Sequence, residues 1–276
     1  MNNANQLSLN EMRVISSDEI DIAHMIEATK SAVSGKSLID ALRAFVNLFQ
    51  GMCISEMQVS TIDQLKSHPL SFLLPSTLIN HDGRVIAKAR GVSPNEALDG
   101  KHPNVHAWVM KNHRLQVDLA VKGFVLPALK ILHLEHQIHR DDFMRIVKKS
   151  PFVPPGRELL FVKGLHSGYC YDYATALHLL SPQIEHLVRF HLKKEGAKTS
   201  TLDKDGIENE NGLNTLVALP EMKTVFGDDL TFEIKALFCD PFGGNLRNEI
   251  AHGLIDDKAC NSTYSVYAGW LTLKLV

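Results

Sequence analysis

Apolar residues between Ser17 and Met57 recur at helical spacing, first Ile20, Ala23 and Ile26, then Leu38, Leu42, Phe45 and Phe49. Ser34-Gly35 interrupts the pattern and predicts a break between two helices. The texture then changes. Leu70 to Leu74 is a continuous apolar run, and Thr77 to Ala87 reads as two short strands around an Asp82-Gly83 turn. Ser93-Pro94-Asn95-Glu96 combines a capping box with proline at the first helical position, which predicts a fresh helix start. His102 to Lys149 is again helical, with Val117, Val121, Phe124, Val125, Leu129 and Leu132 as its apolar stripe and Pro127 as a predicted kink. Pro151 to Gly156 is too rich in proline for regular structure and reads as a rigid connector.

The clearest helical pattern runs from Gly168 to Glu195, where Tyr173, Ala176, Leu177, Leu180, Ile184, Leu187, Val188 and His191 share one side and Pro182 lies near the middle. Lys198 to Glu210 is polar and centres on Asp203-Lys204-Asp205-Gly206, a hairpin or exposed loop. Four further helices are predicted at Leu213–Phe226, Asp228–Phe238, Leu246–Leu254 and Ser262–Leu275, separated by Gly227, Pro241, Gly243 and Gly244. The fold class expected is mainly α: an N-terminal helical region with a short β-hairpin over residues 1–105, then a helical bundle over 106–276. No internal period suggests a repeat protein.

Composition narrows the functional classes. The 276 residues are 45% hydrophobic and 22% charged, which is enough for a substantial core. A net charge of −2 excludes a global basic field, so any nucleic-acid site has to be a local cleft. Cys53, Cys170, Cys239 and Cys260 form no CxxC pair and read as buried free thiols of a reducing compartment. The polar stretch Met1 to Asn10 lacks an apolar signal segment, and no apolar run is long enough to span a bilayer. The expectation is a cytoplasmic protein with no membrane partner and no cofactor.

The candidate chemistry lies in Arg247-Asn248-Glu249-Ile250-Ala251-His252-Gly253. Pro241-Phe242-Gly243-Gly244-Asn245 precedes it, with Asn245 as N-cap candidate, so Arg247 and Asn248 fall in a first helical turn that favours an anion. At about 100° per residue, Asn248 and His252 share a face, and the long Arg247 side chain can swing toward the same pocket. Gly253 would let a substrate or another chain approach closely. Metal-free cleavage of RNA needs a base for the 2′-hydroxyl, an acid for the leaving oxygen and a cation for the phosphate. Histidine and arginine are suited to these roles. One motif carries one histidine, and a two-fold homodimer would supply a second.

Arg247 and His252, with four residues between them, resemble the Arg-x(4–6)-His signature of the HEPN superfamily. More narrowly, Arg247-Asn248-x-x-x-His252-Gly253 is similar to the hallmark of the bacterial domain-of-unknown-function 4209 group. The similarity extends to Asp82–Ala87, Gly164–Gly168, Ala176–Glu185, Asp205–Ile207 and Asn245–Asn248, and covers roughly residues 70–276. The resemblance implies a helical-bundle fold, homodimerisation and metal-independent endoribonuclease activity, often in a toxin or anti-phage role. It makes Arg247 and His252 catalytic and Asn248 a supporting polar residue. It also allows a silent module that binds RNA or nucleotide, or assembles a complex, and a regulatory partner or antitoxin.

Other candidates have blander readings beside them. Glu185 either pairs with Arg189 four residues on or holds Arg247 or His252 in place. His186, Arg189, Lys193 and Lys194 form a basic helix end that complements the helix dipole, with RNA phosphate contact by Arg189, Lys193 and Lys194 as the functional reading. His133, His136 and His139 near Glu135 could ligate metal, but threefold spacing drifts around a helix and a solvated face is the simpler account, so no metal site is expected. Asp203 to Gly206 reads as a turn rather than a calcium loop. No Walker loop, dinucleotide fingerprint or Gly-x-Ser-x-Gly elbow is present.

Overall fold

The structure is a computed structural model that describes residues 20–68, 75–79, 84–91 and 102–276. The expected Leu70–Leu74 run, the Asp82-Gly83 turn and the Ser93–Glu96 capping box lie outside the described residues. The fold is mainly helical, as the periodicity predicts. Helices α1 (Ala23–Val33), α2 (Leu38–Asn47) and α3 (Ile54–Ser67) come first, and the break at Ser34-Gly35 is where the sequence places it. Strands β1 (Ser76–Ile79) and β2 (Val85–Ala89) pair antiparallel with Leu78 opposite Ala87, giving the short hairpin.

Helix α4 (Pro103–Ala120) continues through a π-helical turn at Val121–Val125 into α5 (Leu126–Glu135). The irregularity that the sequence places at Pro127 takes the form of a π-helical widening just before it. In α-helical register, the carbonyl of Gly123 would face Pro127, which has no N–H and whose ring crowds that carbonyl. The buried hydroxyl of Thr29 in α1 donates to the Gly123 carbonyl at 3.0 Å. Widening and a cross-helix hydroxyl together replace what proline removes.

After α6 (Arg140–Val147) and the irregular Pro151–Gly156 connector comes α7 (Glu158–Tyr169), followed by the long α8 (Tyr173–Lys194). The helix expected over Gly168–Glu195 is α8, which starts later than expected, at Tyr173, because the chain turns between the two helices. Asp172 caps α8 by accepting the Thr175 N–H at 3.1 Å, and Tyr171 adopts a left-handed φ of 61°. Strands β3 (Ser200–Leu202) and β4 (Glu208–Glu210) form the polar hairpin, turned by Asp203, which accepts the N–H groups of Asp205 and Ile207.

The C-terminal helices are α9 (Leu213–Leu216), α10 (Glu221–Phe238, broken at Gly227 as expected), α11 (Leu246–Ala251), α12 (Asp257–Cys260) and α13 (Thr263–Leu275); the expected Leu213–Phe226 helix is interrupted after Leu216, and the last helix lies where the sequence predicts it. Helix α8 packs against α7, α10, α11 and α13 and is the central element of the bundle. Its apolar side buries Ala176, Leu177, Leu180, Ile184, Leu187, Val188 and Leu192.

The apolar core runs without interruption from Val33, Ala41 and Phe45 to Trp270 and Leu271. Trp270 Nε1 donates to the Phe45 carbonyl at 3.1 Å, tying the last helix to the N-terminal pair. All four cysteines are free; Cys239 and Cys260 are buried as expected, while Cys53 is half-buried and Cys170 is exposed. Among the described residues no helix is long and apolar enough to cross a membrane.

The Thr29 hydroxyl makes a specific prediction. Thr29→Val keeps the volume but leaves the Gly123 carbonyl without that donor. It should lower unfolding stability by about 1–2 kcal/mol in urea titrations, with an unchanged denaturant slope.

Candidate active site

The site is built on the polar side of α8. Pro182, Glu185, His186 and Arg189 follow helical spacing and line an open cleft together with Arg157, Ser181 and Gln183. Arg247, Ile250 and Ala251 of α11 form the facing wall. The core positions these groups indirectly: burial of Ile184, Leu187 and Val188 turns the Glu185–Arg189 edge toward α11.

Glu185 is the hub. One of its oxygens accepts Arg247 Nε at 2.9 Å and the other accepts an Arg189 guanidinium nitrogen at 2.8 Å. The Glu185 and Arg189 side chains are 17% and 13% exposed, so this is not a surface pair, while Arg247 keeps 30% exposure toward the cleft. Burial pushes the Glu185 carboxyl up, but the hydrogen bonds from Arg189 and Arg247 outweigh it and hold the group below its ordinary value. Both readings of Glu185 from the sequence are therefore realised at once: it pairs with Arg189 and it holds Arg247.

The network extends in both directions. Arg189 also donates to the Asn211 carbonyl at 2.7 Å and lies 3.2 Å from a Glu210 oxygen. Glu210 in turn pairs with Lys193. Two of the three predicted RNA-contacting cations are thus committed to carboxylates, and Lys194 alone of the three is exposed without a side-chain partner among the described residues. On the other side, Asn248 donates to Asn245 Oδ1 at 2.7 Å, and its own Oδ1 faces Arg247 at 3.4 Å and Asn214 at 3.5 Å. Asn248 bridges Arg247 to the loop before it.

Asn245 occupies the N-cap position of α11 but does not cap by its side chain. It takes a left-handed conformation, φ 48°, which asparagine tolerates, and its amide serves Asn248 and Glu249 instead. Gly243 explains the turn's approach: a Cβ there would lie 2.1 Å from the Ala236 carbonyl oxygen.

His252 follows Ala251 as the C-cap of α11 and is exposed, with no side-chain hydrogen bond among the described residues. Gly253 is called for by the backbone at the end of α11. A Cβ there meets nothing within 4 Å, but φ is 63°. Its N–H reaches the Ile250 carbonyl and the Leu254 N–H reaches that of Glu249, a Schellman ending that needs a left-handed residue.

Arg157 was not singled out by the sequence. It is half-buried, lines the same cleft and makes no ion pair among the described residues. Its place depends on the Pro151–Gly156 connector returning to α8, which no local pattern announces. Among the described residues no group of three or more His, Cys, Asp or Glu side chains is placed to hold a metal ion. His133 is sandwiched between Tyr169 and Tyr171, with ring centroids at 4.0 and 4.8 Å, and His139 caps α6.

Two outcomes follow. Glu185→Gln should cost roughly 1–3 kcal/mol at pH 7, less than a fully buried pair because Arg247 is partly solvated. Since the folded-state pKa of Glu185 is depressed, its contribution is present above the unfolded value near 4.5 and is lost as pH falls through the depressed one. Thermal unfolding from pH 7 to 3 should therefore show the gap between wild type and Glu185→Gln closing below about pH 4.5. Gly253→Ala should lower stability by about 1–2 kcal/mol through the strained left-handed residue, read in the same melts.

No protein-family model, curated protein or solved structure matches the chain.

Proposed function

We propose that this protein is a metal-independent endoribonuclease of the HEPN type, resembling the domain-of-unknown-function 4209 group. The observation that carries the reading is the Glu185–Arg247 pair, which presents a partly exposed guanidinium at a cleft wall, five residues before an exposed His252 that has no side-chain hydrogen bond among the described residues. A guanidinium oriented by a carboxylate is suited to bidentate contact with a phosphodiester. Arg157 adds a cation that has no carboxylate partner among the described residues to the same cleft, which gives a chain of net charge −2 a locally positive site.

In this reading Arg247 stabilises charge on the phosphate, Asn248 fixes its orientation, and His252 moves a proton to or from the reacting oxygens. Attack by the 2′-hydroxyl yields a 2′,3′-cyclic phosphate and a free 5′-hydroxyl. A homodimer would bring a second His252 to the reaction. The biological setting that goes with this reading is a cytoplasmic toxin or anti-phage effector, held in check by a regulatory partner or antitoxin. The second reading, a silent helical module that binds RNA or nucleotide or assembles a complex, is favoured by the near-neutral charge and by the commitment of Arg189 and Lys193 to Glu210.

The deciding experiment incubates labelled RNA with purified protein in EDTA. Wild type should cleave it to 2′,3′-cyclic ends, and Arg247→Ala and His252→Ala should each lose at least about 100-fold of the rate. Cleavage that survives His252→Ala contradicts the mechanism. RNA binding without cleavage by the wild type selects the module.

A further inference from the structure

We propose that His186, on the α8 wall of the cleft, is the general base for the 2′-hydroxyl at the phosphate site that Arg247 faces. The inference rests on the ribonuclease reading and deepens it. It starts from how the histidines of this chain are engaged. His106 is bonded to Asp240, His133 to the Leu129 carbonyl, His178 to the Ala174 carbonyl and His191 to the Phe152 carbonyl. His186 has no hydrogen bond or ring contact among the described residues, is half-buried, and lines the cleft that Arg247 faces. An imidazole with both nitrogens uncommitted, in a cleft between two guanidinium groups, is available for proton transfer.

The surroundings suit a base rather than an acid. On its own helix His186 is flanked by Glu185, Arg189 and Lys193. Arg157 comes from the start of α7, Glu210 from β4 and Arg247 from α11. Burial lowers the His186 pKa, and Arg157 and Arg189 lower it further against the opposing Glu210. The ring is accordingly neutral near pH 7 and ready to accept a proton. Gln183, 6% exposed, lines the same cleft with its amide oxygen unpartnered, an acceptor left for a ligand donor such as a ribose hydroxyl or a base amine.

The step balances within the substrate. A neutral His186 nitrogen takes the 2′-hydroxyl proton while the oxygen forms a bond to phosphorus. The bond from phosphorus to the 5′-oxygen breaks, and that oxygen takes a proton from the imidazolium form of His252. Arg247 and Arg157 hold the non-bridging oxygens. Water then restores both imidazoles to their starting states.

The test is a pH–rate profile of RNA cleavage in EDTA for wild type, His186→Ala, His186→Gln and Arg157→Gln, with His252→Ala alongside. The two His186 variants should lose roughly 100-fold in kcat with KM changed by less than about threefold, and should lose the acidic limb of the profile. Added imidazole should restore part of the His186→Ala rate. Arg157→Gln should move the acidic limb to higher pH, because removing a neighbouring cation raises the pKa of the base. His186 variants that keep the wild-type rate and profile, while His252→Ala is inactive, overturn this proposal and leave the ribonuclease reading standing. A wild type that cleaves no RNA removes both.

Discussion

The Glu185 carboxylate is the constraint on which the arrangement of the site depends. It is half-buried among guanidinium groups, and it spans 62 residues of sequence to reach Arg247. Without it, two arginines would sit side by side at low exposure with only Glu210 to offset them. That repulsion would push the short helix α11 away from α8. The ion pair therefore fixes both the closure of the bundle on this side and the direction of the Arg247 side chain.

The same contact links local and tertiary structure. Helix α11 has only six residues, too few to stand without support. It is held by the Asn245–Asn248 bond before it, the Gly253 ending after it and Glu185 beside it. His252 sits where the helix stops, exposed to solvent, and Arg247 sits where it starts, facing the cleft. Arg247 and His252 thus stand at the two ends of a short helix whose geometry is set from outside.

The sequence made much of this readable, though unevenly. Apolar periodicity located the helices because burial on one side imposes that spacing, and the Asp203–Gly206 turn followed from its own side chain. The turn at Cys170–Asp172 is not legible in the sequence because Tyr171 is not a residue type that marks a left-handed turn, although Asp172 and Thr175 supply the cap. Pro127 was recognised, but its effect falls upstream, where the chain widens and Thr29 arrives from another helix. In the site, Arg247, Asn248 and Glu185 were legible from the motif and from a carboxylate in an apolar helix. Arg157 and the neutralisation of Arg189 by Glu210 depend on chain segments that meet only in three dimensions.

The central claim is that Glu185 acts through Arg247 and that Arg247 acts in RNA cleavage. A double-mutant cycle on the cleavage rate tests it most directly, using Glu185→Gln and Arg247→Ala separately and together. The account predicts that Glu185→Gln slows the wild type but has no further effect once Arg247 is alanine. Independent effects that multiply in the double variant, or a rate indifferent to both changes, would contradict it.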